Sequence, residues 1–299
     1  MSKVSDELRK EFGENDARRD AGLVTPEDVV RYDNLAYGND PQWNILDVYR
    51  PKGEEGKLPV IVIVHGGGWV YGTKEVYQFY GMGLAQRGFA VVNYTYRLAP
   101  EHKFPAQLED TNQVIRWISA NKEQYGFDEN NIFAVGDSAG GHLLGLYCAI
   151  CTDSAYAARY SFSVPEGFSF RAIGMNCGAY KLFEDRKAVD TDGMLRTEAL
   201  MRDLLPEDSY EEMLPWLNVI DVVNPKFPPV YIMTAVGDYL IKQAPMLEEA
   251  CKKNHVPYVL KVYGDEKQPL YHVFHVTMQE PAARQCNDDE CGFFRERIQ

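Results

Sequence analysis

The pentapeptide Gly136-Asp137-Ser138-Ala139-Gly140 sets one serine between small residues, directly after the apolar run Ile132-Phe133-Ala134-Val135 and before Gly141-His142-Leu143-Leu144. A β-rich run, then small residues, then a helical pattern puts Ser138 on a strand-to-helix turn, with its hydroxyl exposed and its backbone strained. A serine held in that way is a nucleophile for acyl transfer, and Ser138 is expected to be one. The helix that follows aims its positive end and unpaired N–H groups at the reacting carbon, so the Ala139 N–H is a natural donor to an oxyanion.

A second segment suits the same chemistry. His65-Gly66-Gly67-Gly68-Trp69 follows the most apolar run of the chain, Val60 to Val64. Its glycines remove the β-carbons from a loop, so backbone N–H groups can approach a substrate oxygen closely. A phosphate cradle would carry Lys-Ser or Lys-Thr after its last glycine, and Trp69-Val70 stands there instead. His65 is expected to brace the loop. A serine hydroxyl is a weak nucleophile near neutral pH, so a histidine must accept its proton and a carboxylate must orient the histidine. Asp238 follows Val230 to Thr234 through Ala235-Val236-Gly237, on a loop at a strand end, and Asp221 and Asp265 are the poorer candidates. Of His142, His255, His272 and His275, only the last two follow the final apolar run, and their position alone leaves both open as the base. His142, in the helix after the nucleophile, reads as a packing residue or as one that supports the residues of the site, and His255, beside Lys252 and Lys253, as surface.

Several short apolar runs, each followed by turn residues and a helical pattern, must carry these groups: 60–64, 89–94, 132–135, 230–234 and 258–263. That rhythm predicts a parallel α/β sheet covered on both faces. Leu108, Ile115 and Ile118 mark a crossover helix, and Pro281 to Ile298 a final helix docked on the core. Residues 1 to about 30 and about 181 to 215 break the rhythm; both are expected to be helical and to form a cap over the sheet within a single domain spanning 1–299.

The net charge of −13 disfavours a phosphate backbone or an anionic membrane surface as partner. The apolar run Val60 to Val64 is too short to span a bilayer, and the N-terminus lacks a secretory pattern, so a cytoplasmic location is expected. The six cysteines lack the density of a disulfide scaffold and are expected to be free thiols, Cys148 and Cys151 packing in a helix. No metal or other cofactor is expected, and a homodimer is left open.

Three segments together, His65-Gly66-Gly67-Gly68, Tyr96-Arg97-Leu98-Ala99-Pro100-Glu101-His102-Lys103-Phe104-Pro105-Ala106 and Gly136-Asp137-Ser138-Ala139-Gly140-Gly141, resemble the hormone-sensitive lipase family of α/β-hydrolases, which includes bacterial carboxylesterases. The similarity runs from about residue 44 to the C-terminus. It implies an α/β-hydrolase fold, a mostly parallel central sheet flanked by helices with a small helical cap. By position it implies an oxyanion hole from Gly67, Gly68 and Ala139, with Asp238 in the family's Asp-x-Leu pattern as the acid. His272 in His272-Val273-Phe274 matches the family's His-x-Phe and becomes the base, with His275 as its rival. Lys103 stands where the family often has proline and is expected to alter a surface turn at most; the Tyr96 to Pro105 stretch is expected to support the site without chemistry of its own. The activity implied is hydrolysis of small, short-acyl carboxylic esters through a serine acyl-enzyme. The same triad would serve a deacetylase or an amide or formamide hydrolase. A receptor that keeps the fold without catalysis is disfavoured because Ser138, Asp238 and His272 are all present.

Overall fold

In the computed structural model, which describes residues 2–182 and 192–299, the strands in chain order are β1 (Val29–Ala36), β2 (Ile45–Pro51), β3 (Leu58–Val64), β4 (Ala90–Tyr94), β5 (Phe127–Asp137), β6 (Ile173–Asn176), β7 (Val230–Ala235) and β8 (Tyr258–Tyr263). They form one sheet in the order β1-β2-β4-β3-β5-β6-β7-β8. The β1–β2 and β2–β4 pairs are antiparallel and every later pair is parallel.

The alternation of side chains along a strand splits the apolar run of β3 between two layers. Val60, Val62 and Val64 enter the larger core, and Ile61 and Ile63 the smaller one on the opposite face. Burial of both faces explains why the run has no polar side. The helix Ala106–Ala120 turns Leu108, Ile115 and Ile118 into the larger core, as their spacing requires. The final helix, Pro281–Arg295, starts with its proline where no intrahelical N–H is needed and buries Phe293 and Phe294 in the smaller core. Cys148 and Cys151 lie in the helix Ala139–Thr152, and all six cysteines are unpaired. Among the described residues no helix is long and apolar enough to cross a membrane.

The N-terminal segment is helical only over Lys3–Arg19. Gly22, with φ of 80°, and Pro26 end the helical path, and Val29 and Val30 already belong to β1. Of the segment 181–215, residues 183–191 lie outside the described residues; the remainder holds the helix Asp192–Leu204 and the short turns Glu207–Ser209, Tyr210–Met213 and Leu214–Trp216. Polar ties join these pieces. The Asp203 carboxylate accepts hydrogen bonds from the Ser2 hydroxyl at 2.6 Å, the Ser2 N–H at 2.9 Å and the Ser5 hydroxyl at 2.5 Å. Lys103 does more than alter a turn: its ammonium donates to the Arg202 and Asp203 carbonyls at 3.1 and 2.6 Å, and the Phe104 N–H donates to the Leu204 carbonyl at 2.8 Å. A cation at the carbonyl end of a helix is favoured by both hydrogen bonding and the helix dipole.

Beneath the sheet's carboxyl end, the final helix buries Glu290, whose oxygens accept from Asn176 Nδ2 at 2.9 Å and from the Tyr80 hydroxyl at 3.2 Å. Burial pushes this carboxyl up to about 7 from an ordinary 4.5. The folded chain thus keeps a proton that the unfolded chain releases between these values, and stability falls as pH rises from about 4.5 to 7. Glu290→Gln should therefore raise stability at pH 8 by on the order of 2 kcal/mol and leave it nearly unchanged at pH 4.5. Urea denaturation at the two pH values measures the difference, and an equal effect at both would show that Glu290 is ionised in the fold.

Candidate active site

Ser138 sits between the end of β5 and the helix Ala139–Thr152 with φ of 50° and ψ of −118°, a conformation that costs a non-glycine residue about 1–3 kcal/mol. The turn is tight because a β-carbon at Gly140 would collide with the Val64 and His65 carbonyl oxygens of the neighbouring loop. The backbone of Ser138 is tied on both sides: its N–H donates to the Asn176 carbonyl at 3.0 Å, and its carbonyl accepts from His142 N–H at 3.2 Å.

The structure brings Ser138, Asp238 and His272 together. The Ser138 hydroxyl lies 3.0 Å from His272 Nε2, and His272 Nδ1 lies 2.7 Å from Asp238 Oδ1. A carboxylate only accepts, so Nδ1 carries the proton and Nε2 offers its lone pair to the serine hydroxyl. Asp238, at the loop after β7, also accepts from the Leu240 N–H and from the Thr234 hydroxyl, each at 2.9 Å. Burial opposes its charge, but the hydrogen bond and the proximity of His272, with those two donors, outweigh burial and hold the carboxyl below its ordinary range. The Tyr239 ring lies against the His272 ring, centroids 4.3 Å apart.

The other histidines lie elsewhere. His275 is buried edge-on to Tyr80, 5.1 Å between ring centroids, and burial followed by the nearness of His272 pushes its pKa down to about 3. His255 is on the surface. His65 is buried in the loop after β3, stacked on Tyr96 at 3.9 Å, and its Nδ1 lies 2.7 Å from the Gly66 carbonyl. The Tyr96 hydroxyl reaches back to the His65 carbonyl at 2.9 Å, which is how the Tyr96 to Pro105 stretch supports the loop.

Gly67 and Gly68 follow with φ of 111° and 60°. A β-carbon at Gly67 would collide with the Tyr71 carbonyl, so only glycine fits the turn. The Gly66 N–H is already engaged by the Tyr77 hydroxyl at 2.9 Å, whereas the N–H groups of Gly67 and Gly68 have no partner among the described residues. Tyr77 in turn donates to Asp137 at 2.7 Å, linking the loop to the residue before Ser138. Burial pushes the Asp137 carboxyl up to about 6 despite that hydrogen bond. Tyr77 and Thr234 carry no motif of their own in the sequence, although Thr234 was legible as the last residue of an apolar run leading to Asp238.

The ties of the N-terminal helix also end at this loop. Arg9 donates to the Val70 carbonyl at 2.7 Å and the Ala99 carbonyl at 2.9 Å and pairs with Glu101 at 2.7 Å. The open side of Gly68 faces Leu200 and Leu8, whose Cδ1 atoms lie 3.7 and 4.0 Å from where a β-carbon would stand.

Residues 46–250 match the BD-FAE family model. Esterase LipC of Mycobacterium tuberculosis is 38% identical over 227 residues, 74% of this chain and 54% of that protein. The versiconal hemiacetal acetate esterase of Dothistroma septosporum is 29% identical over 228 residues, covering 70% of this chain and 66% of that protein. The chain spans about half the length of several curated relatives that it matches. Among solved structures, Esterase B of Lactobacillus rhamnosis superposes with a TM-score of 0.88 at 27% identity, covering 98% of this chain and 94% of that one. The sheet order, the strand-to-helix serine turn and these matches agree: the chain belongs to the BD-FAE family, on the α/β-hydrolase fold shared with hormone-sensitive lipase-like esterases.

Proposed function

We propose that the protein is a carboxylic ester hydrolase that acts on small, short-acyl esters through an acyl-enzyme at Ser138. The observation that carries this reading is the unbroken hydrogen-bonded line from the Ser138 hydroxyl through His272 to Asp238, at 3.0 and 2.7 Å. His272 Nε2 takes the serine proton as Oγ attacks the ester carbonyl. The tetrahedral oxyanion accepts from the N–H groups of Gly67, Gly68 and Ala139. The alcohol leaves with the proton from His272, and water repeats the attack on the acyl-serine. Asp238 stays ionised throughout and stabilises the imidazolium. A purified sample should hydrolyse p-nitrophenyl acetate and take a fluorophosphonate label at Ser138; a protein that does neither is not an esterase of this kind.

The helices Lys3–Arg19 and Asp192–Leu204 act as the cap in this reading, supported by their ties to each other and to the loop around Gly68. Leu8 and Leu200 then form an apolar wall beside the oxyanion donors and favour short acyl chains, in keeping with the acetate in the name of the Dothistroma relative. Leu200→Ala should raise kcat/KM for the p-nitrophenyl hexanoate ester relative to the acetate by about tenfold, the scale of one or two methylenes in an apolar pocket. An unchanged chain-length profile would remove Leu200 from the wall. A cytoplasmic location is the reading that the unpaired cysteines support.

A further inference from the structure

Three consecutive glycines give the oxyanion loop no side chain with which to hold itself in place. Its upstream end is fixed by the Tyr77 hydroxyl on the Gly66 N–H at 2.9 Å. The first side chain past the glycines is Trp69, with φ of 65°, buried to 4% exposure, its carbonyl accepting from the Ala99 N–H at 3.0 Å. Its indole N–H points to His142 Nδ1 at 3.2 Å, with the two rings perpendicular and 5.3 Å apart. His142 is fully buried on the first turn of the helix after Ser138, and its Nε2 lies 2.8 Å from the Leu217 carbonyl.

The partners dictate the tautomer. A carbonyl only accepts, so Nε2 carries the proton; an indole N–H only donates, so Nδ1 presents its lone pair to Trp69. Both ring nitrogens are thereby satisfied in a site with no water-facing side, and an imidazolium would set N–H against N–H. Burial pushes the ring down to about 4, which keeps it in this neutral form.

We propose that His142 is a positioning residue for ester hydrolysis: it clamps the oxyanion loop, through Trp69, to the helix that carries the Ala139 donor, and ties both to the segment at Leu217 that returns from the cap. The clamp fixes the downstream end of the loop as Tyr77 fixes the upstream end. Between the two anchors, the Gly67 and Gly68 N–H groups are held at a set distance from Ala139 N–H, which is what simultaneous bonding to one oxyanion requires. The inference rests on the serine esterase reading above.

The test compares wild type with His142→Leu, His142→Asn, Trp69→Phe and the His142→Leu/Trp69→Phe double variant, using p-nitrophenyl acetate and an alkyl trifluoromethyl ketone, which becomes a tetrahedral oxyanion on the serine. His142→Leu and Trp69→Phe should each lower kcat by about tenfold or more with KM changed less than twofold, a part of the 10²–10³ attached to a whole oxyanion donor. The ketone should weaken in the same proportion. The double variant should be no worse than either single one, because both remove the same bond. His142→Asn, whose amide oxygen stands near the place of Nδ1 and can accept from Trp69, should recover most of the rate. Wild-type kcat in Trp69→Phe, additive losses in the double variant, or Asn no better than Leu would each overturn the clamp. Should His142→Leu fail to fold, Trp69→Phe and His142→Asn decide the matter alone. Wild type that neither hydrolyses the acetate nor binds the ketone overturns the esterase reading itself, and the clamp with it; active wild type with an unaffected Trp69→Phe ends the clamp only.

Discussion

Replacing Ser138 by alanine should lower turnover of p-nitrophenyl acetate by about 10⁴-fold or more and abolish fluorophosphonate labelling, while the melting temperature should not fall. In the proposed mechanism the hydroxyl forms the covalent bond, and no other serine stands 3.0 Å from His272 Nε2 among the described residues. Stability should be indifferent to the hydroxyl because the turn is held by the backbone, through Ser138 N–H to Asn176 and His142 N–H to the Ser138 carbonyl. A Ser138→Gly variant adds a second readout. At φ of 50° the β-carbon is the source of the strain, so glycine should be as inactive as alanine yet melt higher, by up to about 1 kcal/mol of stability. Turnover retained in Ser138→Ala would assign the chemistry to another residue; a lower melting temperature in Ser138→Gly than in Ser138→Ala would show that the turn stores no strain.

What the sequence made legible were features that depend on neighbours in the chain. The run of β3, the serine turn and the loop of glycines are local patterns, each with a single mechanical reading. β6 was not singled out because Gly174 and Asn176 leave Ile173 and Met175 as its only large apolar residues, and β1 because half of its side chains face water at the sheet edge. Contacts between distant segments left no trace. Lys103 reads as a surface residue until its ammonium is seen on the Arg202 and Asp203 carbonyls. Leu8 and Leu200 belong to two amphipathic helices of ordinary composition, and only the fold sets them together beside Gly68. His142 reads as helix packing or general support of the site, with no partner to choose between them, because neither Trp69 nor Leu217 is near it in sequence. His272 and His275 were separable by family pattern but not by position, because they are three residues apart and follow the same strand.

Those two histidines should part sharply when mutated. His272→Ala should lose as much turnover as Ser138→Ala, since in the proposed mechanism Nε2 is the group that takes the serine proton. His275→Ala should stay within about tenfold of wild type in kcat while losing on the order of 2 kcal/mol of stability, the effect of emptying a buried site packed against Tyr80. The reverse pattern would make His275 the base. Asp238→Asn then separates charge from geometry. Asp238 Oδ1 accepts from the Leu240 N–H as well as from His272, and Oδ2 from the Thr234 hydroxyl. An amide can therefore keep its oxygen on the Leu240 and His272 side and turn its NH₂ toward Thr234, whose hydroxyl can rotate to accept. The hydrogen bonds survive and the negative charge does not, so the imidazolium that forms as Ser138 attacks loses its counter-charge. Turnover near pH 7 should fall by about 10³–10⁴-fold with little change in KM or melting temperature. A variant within tenfold of wild type would mean that Asp238 acts only as a hydrogen-bond acceptor, and that the charge supporting His272 comes from elsewhere.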